Sequence, residues 1–145
     1  MSAASDYTEL NLLNAITGQA AFPAIGLTYV ALHTAAPSED GTTTNEVTLI
    51  AWPAYARKNA EAGGAVGSGW TAPVTAGATK ETKNKNILTF TANNGAATVT
   101  ITHWSIWNTA TAGNMILAQA LTTPVNITAG DIFVFDINAL TLTAA

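Results

Sequence analysis

The sequence predicts a mainly β fold, an antiparallel, jelly-roll-like β-sandwich with a short N-terminal helix. Two observations support this prediction. Threonine and β-branched aliphatic residues recur in short alternating runs, which suit a pleated sheet with a buried face. Glycine, proline, asparagine and aspartate mark turns between these runs. The 145 residues include no cysteine, so packing or subunit association must supply the stability that disulfides would otherwise give.

Composition restricts the classes of partner. The chain has 5 Lys+Arg against 9 Asp+Glu, a formal net charge of -4 and a pI of about 4.8. This balance argues against an electrostatic hold on nucleic acid or on an anionic membrane. No apolar run is long enough to span a bilayer, and the first residues lack the pattern of a secretory signal. We therefore expect a single β-rich domain over 1–145, made in the cytosol, with neither nucleic acid nor membrane as its partner.

The N-terminal segment, 1–18, is predicted to be helical. Asp6 and Glu9 have the spacing of a capping box, and Leu10 and Leu13 follow at helical intervals. A helix of about three turns is marginal by itself. We therefore expect it to pack its Leu10 and Leu13 face on the sheet or on a neighbouring subunit.

The first strand is predicted at 27–33, before a turn-rich loop that begins at Ala36. The region 36–82 is predicted to be irregular and rich in loops, because it contains prolines and a cluster of glycines between residues 63 and 69. One plausible strand lies there, at Tyr55–Lys58.

The dipeptide Asn94-Gly95 has the residue types of a two-residue type I′ hairpin turn. Counting outward from it, Phe90 faces Val99 and Leu88 faces Ile101. The same register places threonines together on the other face. Turn chemistry and apolar pattern thus predict the same hairpin.

A β-bulge is predicted near His103. Apolar residues before and after this position, such as Ile101 and Trp104, differ in parity, and a bulge would bring them to the same face. His103 itself is predicted to hydrogen-bond a backbone carbonyl at the bulge. A turn and three further strands complete the predicted sheet: the turn at 128–131 and strands at 114–118, 132–135 and 140–143.

Residues that could carry chemistry are few. His33 and His103 fall in separate predicted strands without a third nitrogen or a carboxylate pattern, so structural roles are predicted for both. Ser105 has neither a strand-to-helix elbow nor a base held by a third group. We therefore expect no catalytic residue, no metal site, no cofactor and no small-molecule substrate, and a role in binding or assembly.

The four tryptophans are the strongest candidates for contacts. Trp104 and Trp107 are predicted to point to opposite faces, with Trp104 in the core. Trp52 and Trp70 lie in the proline- and glycine-rich middle, where either a partner or the folded loop could cover them. A carbohydrate-binding module would use Trp52, Trp70 or Trp107 as a stacking platform.

Several short segments, in their order and spacing, carry a resemblance to known proteins. The chain resembles small virion structural proteins of tailed bacteriophages, which are labelled tail fibre, minor tail or capsid decoration (cement) proteins. The likeness spans nearly the whole chain. Its segments are Asp6-Tyr7-Thr8-Glu9-Leu10, Leu27-Thr28-Tyr29-Val30-Ala31-Leu32-His33-Thr34, Asn45-Glu46-Val47, Tyr55-Ala56-Arg57, Thr102-His103-Trp104-Ser105-Ile106-Trp107, Gly113-Asn114-Met115-Ile116-Leu117 and Ala129-Gly130-Asp131.

The resemblance implies a β-rich subunit on the outside of a particle, often a trimer, synthesised in the cytoplasm of a bacterial host. We expect a capsid decoration protein, a homotrimer that binds the major capsid protein on the capsid surface and stabilises its junctions. The alternatives are a tail fibre or minor tail or baseplate subunit and the carbohydrate-binding module. The residues expected to contact a partner are Trp52, Trp70, Tyr55, Arg57, Leu10 and Leu13.

Overall fold

A computed structural model describes residues 3–144. Within this range the chain forms one α-helix, α1 (Asp6–Ile16), a short 3₁₀ turn (Ala62–Gly64) and ten strands, all paired antiparallel. The strands are β1 (Ala3–Ala4), β2 (Tyr29–His33), β3 (Lys58–Asn59), β4 (Val74–Ala76), β5 (Thr79–Lys83), β6 (Leu88–Thr89), β7 (Val99–Trp107), β8 (Met115–Ile127), β9 (Val134–Phe135) and β10 (Thr141–Ala144).

The strands form three sheets around one main core. A five-stranded sheet has the spatial order β1-β8-β7-β2-β3, a three-stranded sheet has the order β10-β5-β4, and β6 and β9 pair as a two-stranded ribbon. The main core contains buried side chains of the five-stranded sheet and of the ribbon, and the half-buried Leu142 of the three-stranded sheet packs against it, so the two smaller sheets form the layer opposite the large one. The predicted antiparallel β-sandwich with an N-terminal helix is confirmed.

Aromatic rings fill the centre of the main core. The ring of Phe90 stacks on that of Tyr55 with 6.2 Å between centroids, and Phe133 meets Phe135 edge-on at 4.8 Å. Trp52 is fully buried and tilts against the ring of Phe90. Each such pair contributes about 0.5–1.5 kcal/mol beyond the burial of its area. Ring packing therefore ties the ribbon to the segment that carries Trp52 and Tyr55.

The predicted bulge in β7 is confirmed. The pairing of β7 with β8 shifts register between Ile101 and His103, and both Ile101 and Trp104 consequently lie in the main core. Trp107 lies in a smaller cluster on the other face, as predicted. The prediction for the His103 side chain was wrong, because its Nδ1 lies 2.8 Å from the hydroxyl oxygen of Thr102 instead of a backbone carbonyl.

Strand β8 has a larger irregularity opposite the same bulge. Four of its residues, 121–124, lie opposite the single residue Thr102 of β7, and this stretch contains Pro124. On its other side, within the described residues, β8 pairs only with β1, at Leu117 and Ala118. Most of this uncharged, 13-residue strand is therefore a sheet edge.

The hairpin predicted at Asn94-Gly95 is wrong. Strand β6 pairs with β9, and β7 pairs with β2 and β8, so the strands on either side of the dipeptide are not partners. The side chain of Asn93 instead accepts a hydrogen bond from the Gly95 N–H, at 2.9 Å. A Cβ atom on Gly95 would lie 2.3 Å from the Ala51 carbonyl oxygen. The glycine therefore permits a close backbone approach, and it has no positive φ.

Helix α1 begins at Asp6, and its N-cap is Ser5. The capping-box spacing had indicated Asp6 as the cap instead. The Ser5 hydroxyl oxygen accepts a hydrogen bond from the Thr8 N–H at 3.3 Å. Asp6 and Glu9 then occupy the first turn, where negative charge suits the helix dipole.

The region 36–82 contains more strand than predicted, since β3, β4 and β5 all lie in it. The strand expected at Tyr55–Lys58 is displaced to Lys58–Asn59. The reason is local, because the Tyr55 N–H bonds the Trp52 carbonyl in a turn and cannot join a ladder.

Candidate functional site

Helix α1 has its apolar face directed to solvent. Leu10, Leu12, Leu13 and Ile16 are 61%, 50%, 60% and 72% exposed. An amphipathic helix on a globular domain normally turns such residues toward the core. The residues that are half-buried are instead polar or small: Tyr7, Thr8, Asn11, Asn14 and Ala15.

Polar anchors explain this orientation. The Thr8 hydroxyl donates a hydrogen bond to the Ile116 carbonyl of β8 at 2.7 Å, and the Ser5 hydroxyl donates to the Met115 carbonyl. The Asp6 N–H donates to the Glu39 carbonyl at 3.0 Å. The start of the helix is therefore fixed to the sheet by hydrogen bonds, and its four aliphatic side chains form an exposed surface, called here the helix face.

A second unusual feature is a buried ion pair between Arg57 and Glu46. The Nε and Nη2 atoms of Arg57 donate to the two carboxylate oxygens of Glu46 at 2.9 and 2.8 Å. Its Nη1 donates to the Ala112 carbonyl at 2.8 Å, and the guanidinium lies 3.7 Å from the centre of the Trp107 ring. Arg57 therefore joins the loop that carries Glu46 to the loop between β7 and β8.

Tyr55 completes the same cluster. Its hydroxyl donates to Glu46 at 3.1 Å and accepts a hydrogen bond from the Leu32 N–H at 3.0 Å. Burial raises the pKa of Tyr55 well above its usual value, and the neighbouring Glu46 carboxylate raises it further. A cavity of about 360 Å³ opens beside the cluster. Both charged groups in its lining, Glu46 and Arg57, are committed to each other, so the arrangement positions loops and presents no free acid or base there.

His33, Ser105 and Trp107 form a buried hydrogen-bonded row. The Nε2 atom of His33 lies 2.6 Å from the Ser105 hydroxyl oxygen, which also accepts from the Trp107 indole N–H at 2.7 Å. All three side chains are inaccessible to solvent. Burial lowers the pKa of His33 to about 4, although Glu46 and a backbone group of Thr44 act in the opposite direction. A serine beside an imidazole that no substrate can reach is a structural pair.

The six residues predicted to contact a partner fall into two groups. Leu10 and Leu13 lie on the exposed helix face, whereas Trp52, Tyr55 and Arg57 are buried within the subunit. The sixth residue, Trp70, is half-buried against the core, and its indole N–H donates to the Thr28 hydroxyl at 2.9 Å.

The structure corrects part of the carbohydrate prediction. Trp52 and Trp107 have no exposed surface, so neither ring can stack on a sugar in this subunit.

Sequence reasoning missed two features of the site. Leu12 was not singled out, although the polar neighbours Asn11 and Asn14 mark the opposite, inward side of the helix. The row of His33, Ser105 and Trp107 was also missed. The i, i+2 spacing of Ser105 and Trp107 in one strand was a signal that they share a face.

No group of three or more His, Cys, Asp or Glu side chains within residues 3–144 is placed to hold a metal ion. The part of the chain that the structure describes has no helix with the length and apolar character needed to cross a bilayer.

A comparison with known protein families identifies the family of this chain. The family model described as "Podophage GP4 fiber I protein gp80" matches residues 3–143. No curated protein matches the chain. Since the match covers nearly the whole sequence, the chain belongs to the family of the podophage GP4 fiber I protein gp80, a family of phage virion structural proteins.

Proposed function

We propose that this chain is a self-associating structural subunit of a phage fibre, assembled through its helix face. The observation that carries the proposal is the reversed orientation of α1, whose four aliphatic side chains face water while its polar side faces the sheet. A subunit that works alone gains nothing from that orientation. Membership of a fibre protein family supports a place in such an assembly.

The energy available from the helix face favours assembly in many copies. Completing the burial of a leucine or isoleucine that is half to three-quarters exposed contributes about 1–2 kcal/mol, so the four side chains together supply about 4–8 kcal/mol. Association itself costs about 4–15 kcal/mol in lost freedom. One such contact is therefore weak, and several copies engaged together raise the overall affinity by orders of magnitude.

The test is incorporation of variants into particles. Leu13→Asp places a charge in the centre of the helix face, and we expect it to reduce the amount of this protein in purified virions at least tenfold. Ile50→Asp is the matched control, because Ile50 is 94% exposed but lies outside helix α1, in a turn between β2 and β3. Equal incorporation of both variants in immunoblots of purified particles would contradict the proposal.

Capsid decoration is the second placement that we propose to test. A low-charge, threonine-rich surface suits a homotrimer on the major capsid protein as well as it suits a fibre, because threonine is desolvated more cheaply than lysine or glutamate. Cryo-EM of the particle distinguishes the two, since the β-sandwich density would lie either in the fibre or on the capsid surface. Density on the capsid alone would overturn the fibre assignment.

A further inference from the structure

A second exposed apolar surface lies on the opposite layer of the sandwich. In the ribbon β6–β9, Leu88 pairs with Phe135 and both side chains are buried. Strand alternation therefore directs Ile87 and Val134 outward, and Ile132 follows the same parity. All three outward residues are exposed. We call Ile87, Ile132 and Val134 the ribbon face.

Helix α1 carries only acidic charges, whereas the margin of the ribbon face carries charges of both signs. Asp6 and Glu9 are exposed at the start of α1, and the chain has no lysine or arginine before Arg57. At the ribbon, the ammonium of Lys58 lies 3.5 Å from the hydroxyl of Thr91. Thr91 is the position opposite Ile132 when the observed ribbon register is continued. A cation therefore stands next to the ribbon face.

Two further charges lie near the other end of the ribbon. Lys85 is exposed and precedes Ile87 by two residues, and the exposed Asp136 lies opposite Ile87 in the continued register. At the Lys58 end, the exposed Asp131 precedes Ile132, but it has the opposite strand parity and its carboxylate accepts hydrogen bonds from the N–H and hydroxyl of Thr128. Lys58 is therefore the group of this end that suits an acidic partner.

We infer that the helix face of one copy docks on the ribbon face of a second copy. This rests on the proposed function and names the partner of the helix face. Helix α1 lies against the five-stranded sheet and the ribbon belongs to the other layer, so each copy offers one face to each of two neighbours. Such a head-to-tail contact closes as a ring or grows as a filament.

Charge favours this contact over the pairing of two helix faces. Two copies of α1 placed together would bring four carboxylates to one interface without a cation from either helix. The ribbon face supplies Lys58 beside three β-branched side chains. Each face consists of only three or four exposed aliphatic side chains. The contact is therefore small for a pairwise interface and suits assembly through repeated copies.

Site-specific cross-linking tests the inference, and the absence of cysteine makes the chain a clean background. Leu13→Cys and Val134→Cys are purified separately, mixed and treated with a short bismaleimide. We expect a mixed dimer that contains one copy of each variant. Ile50→Cys mixed with Val134→Cys is the control. Leu13→Cys cross-linking to itself instead would show the pairing of two helix faces and overturn the inference, as would equal yield with the control.

A charge exchange gives an independent test. Lys58→Glu and Glu9→Lys should each weaken self-association about fivefold in sedimentation equilibrium, and the double variant should recover most of the loss. Lack of recovery would count against the contact. Far-UV circular dichroism of each variant checks that the sandwich is intact.

The outcomes separate this inference from the proposed function. If Leu13→Asp prevents incorporation into particles but no mixed dimer forms with Val134→Cys, the helix face binds another virion protein and only the inference fails. If Leu13→Asp is incorporated normally, the proposed function fails.

Discussion

Two regions reverse the usual distribution of polarity in opposite ways. One is helix α1, and the other is the Arg57 cluster, formed by Arg57, Glu46 and Tyr55. The cluster holds a guanidinium and a carboxylate inside the subunit, where each hydrogen-bonds the other. The helix face holds four aliphatic side chains in water. The buried polar contacts position loops within one subunit, whereas the exposed apolar side chains have little to do with its own packing, which is why the proposed function assigns them to contacts with neighbours.

The largest expected effect comes from breaking the buried pair. Arg57→Met leaves the largely buried Glu46 carboxylate without its cationic partner, so we expect a loss of about 3–5 kcal/mol in the free energy of unfolding. Urea denaturation followed by tryptophan fluorescence measures it.

Two matched variants make this prediction specific. Lys85→Met removes an exposed cation and should change stability by less than about 0.5 kcal/mol. The double variant Arg57→Met with Glu46→Met removes both charges and should recover part of the loss. A double variant no more stable than Arg57→Met would mean that the packing of Arg57 on Trp107 matters more than the charge.

The second effect is a dependence of stability on pH. The folded chain holds His33 neutral because its pKa is lowered from 6.5 to about 4. Below pH 6.5 the unfolded chain binds a proton that the folded chain does not, so unfolding becomes easier as the pH falls. The free energy of unfolding is therefore unaffected by the protonation of His33 above pH 6.5, and it falls progressively as the pH is lowered from 6.5 to 4, by about 3 kcal/mol in all.

Unfolding curves at several pH values test this prediction. His33→Gln cannot titrate, so its stability should fall less steeply than that of the unmodified chain between pH 6.5 and 4. His103→Gln is the control, because burial lowers the pKa of His103 as well but its side chain is only partly buried. Parallel curves for the unmodified chain and the His33→Gln variant would contradict the assignment.

The smallest effect on folding should come from the helix face. Leu13→Asn removes an exposed side chain that contacts little within its own subunit, so we expect a change in the free energy of unfolding within about 0.5 kcal/mol. The same substitution should reduce self-association, measured by light scattering at increasing concentration. A stability loss as large as that of Arg57→Met would show that Leu13 supports the subunit itself.

The fold class and the bulge could be predicted because both depend on local alternation. The parity of Ile101 and Trp104 is visible within a single strand. Strand partners are not local, and the hairpin prediction failed for this reason. The side chain of Asn93 captures the Gly95 N–H, and β6 finds its partner in β9, some 45 residues away along the chain.

The site could be predicted only in part. Helical spacing identified Leu10 and Leu13, but spacing alone does not say which side of a helix faces inward. That depends on Thr8 and Ser5 reaching carbonyls of β8, more than 100 residues away. The Arg57 cluster depends on contacts among three separate segments, which no local pattern reveals.

The irregularity at 121–124 of β8 has a consequence for solubility. A long, uncharged edge strand is a template for indefinite stacking of copies into amyloid-like fibrils, the more so at the crowding reached while particles are built. A register break of this kind increases the local twist of a strand, and Pro124 offers no N–H to an incoming strand. The edge that could extend the protein into fibrils is thereby made a poor template, independently of any contact that the helix face makes.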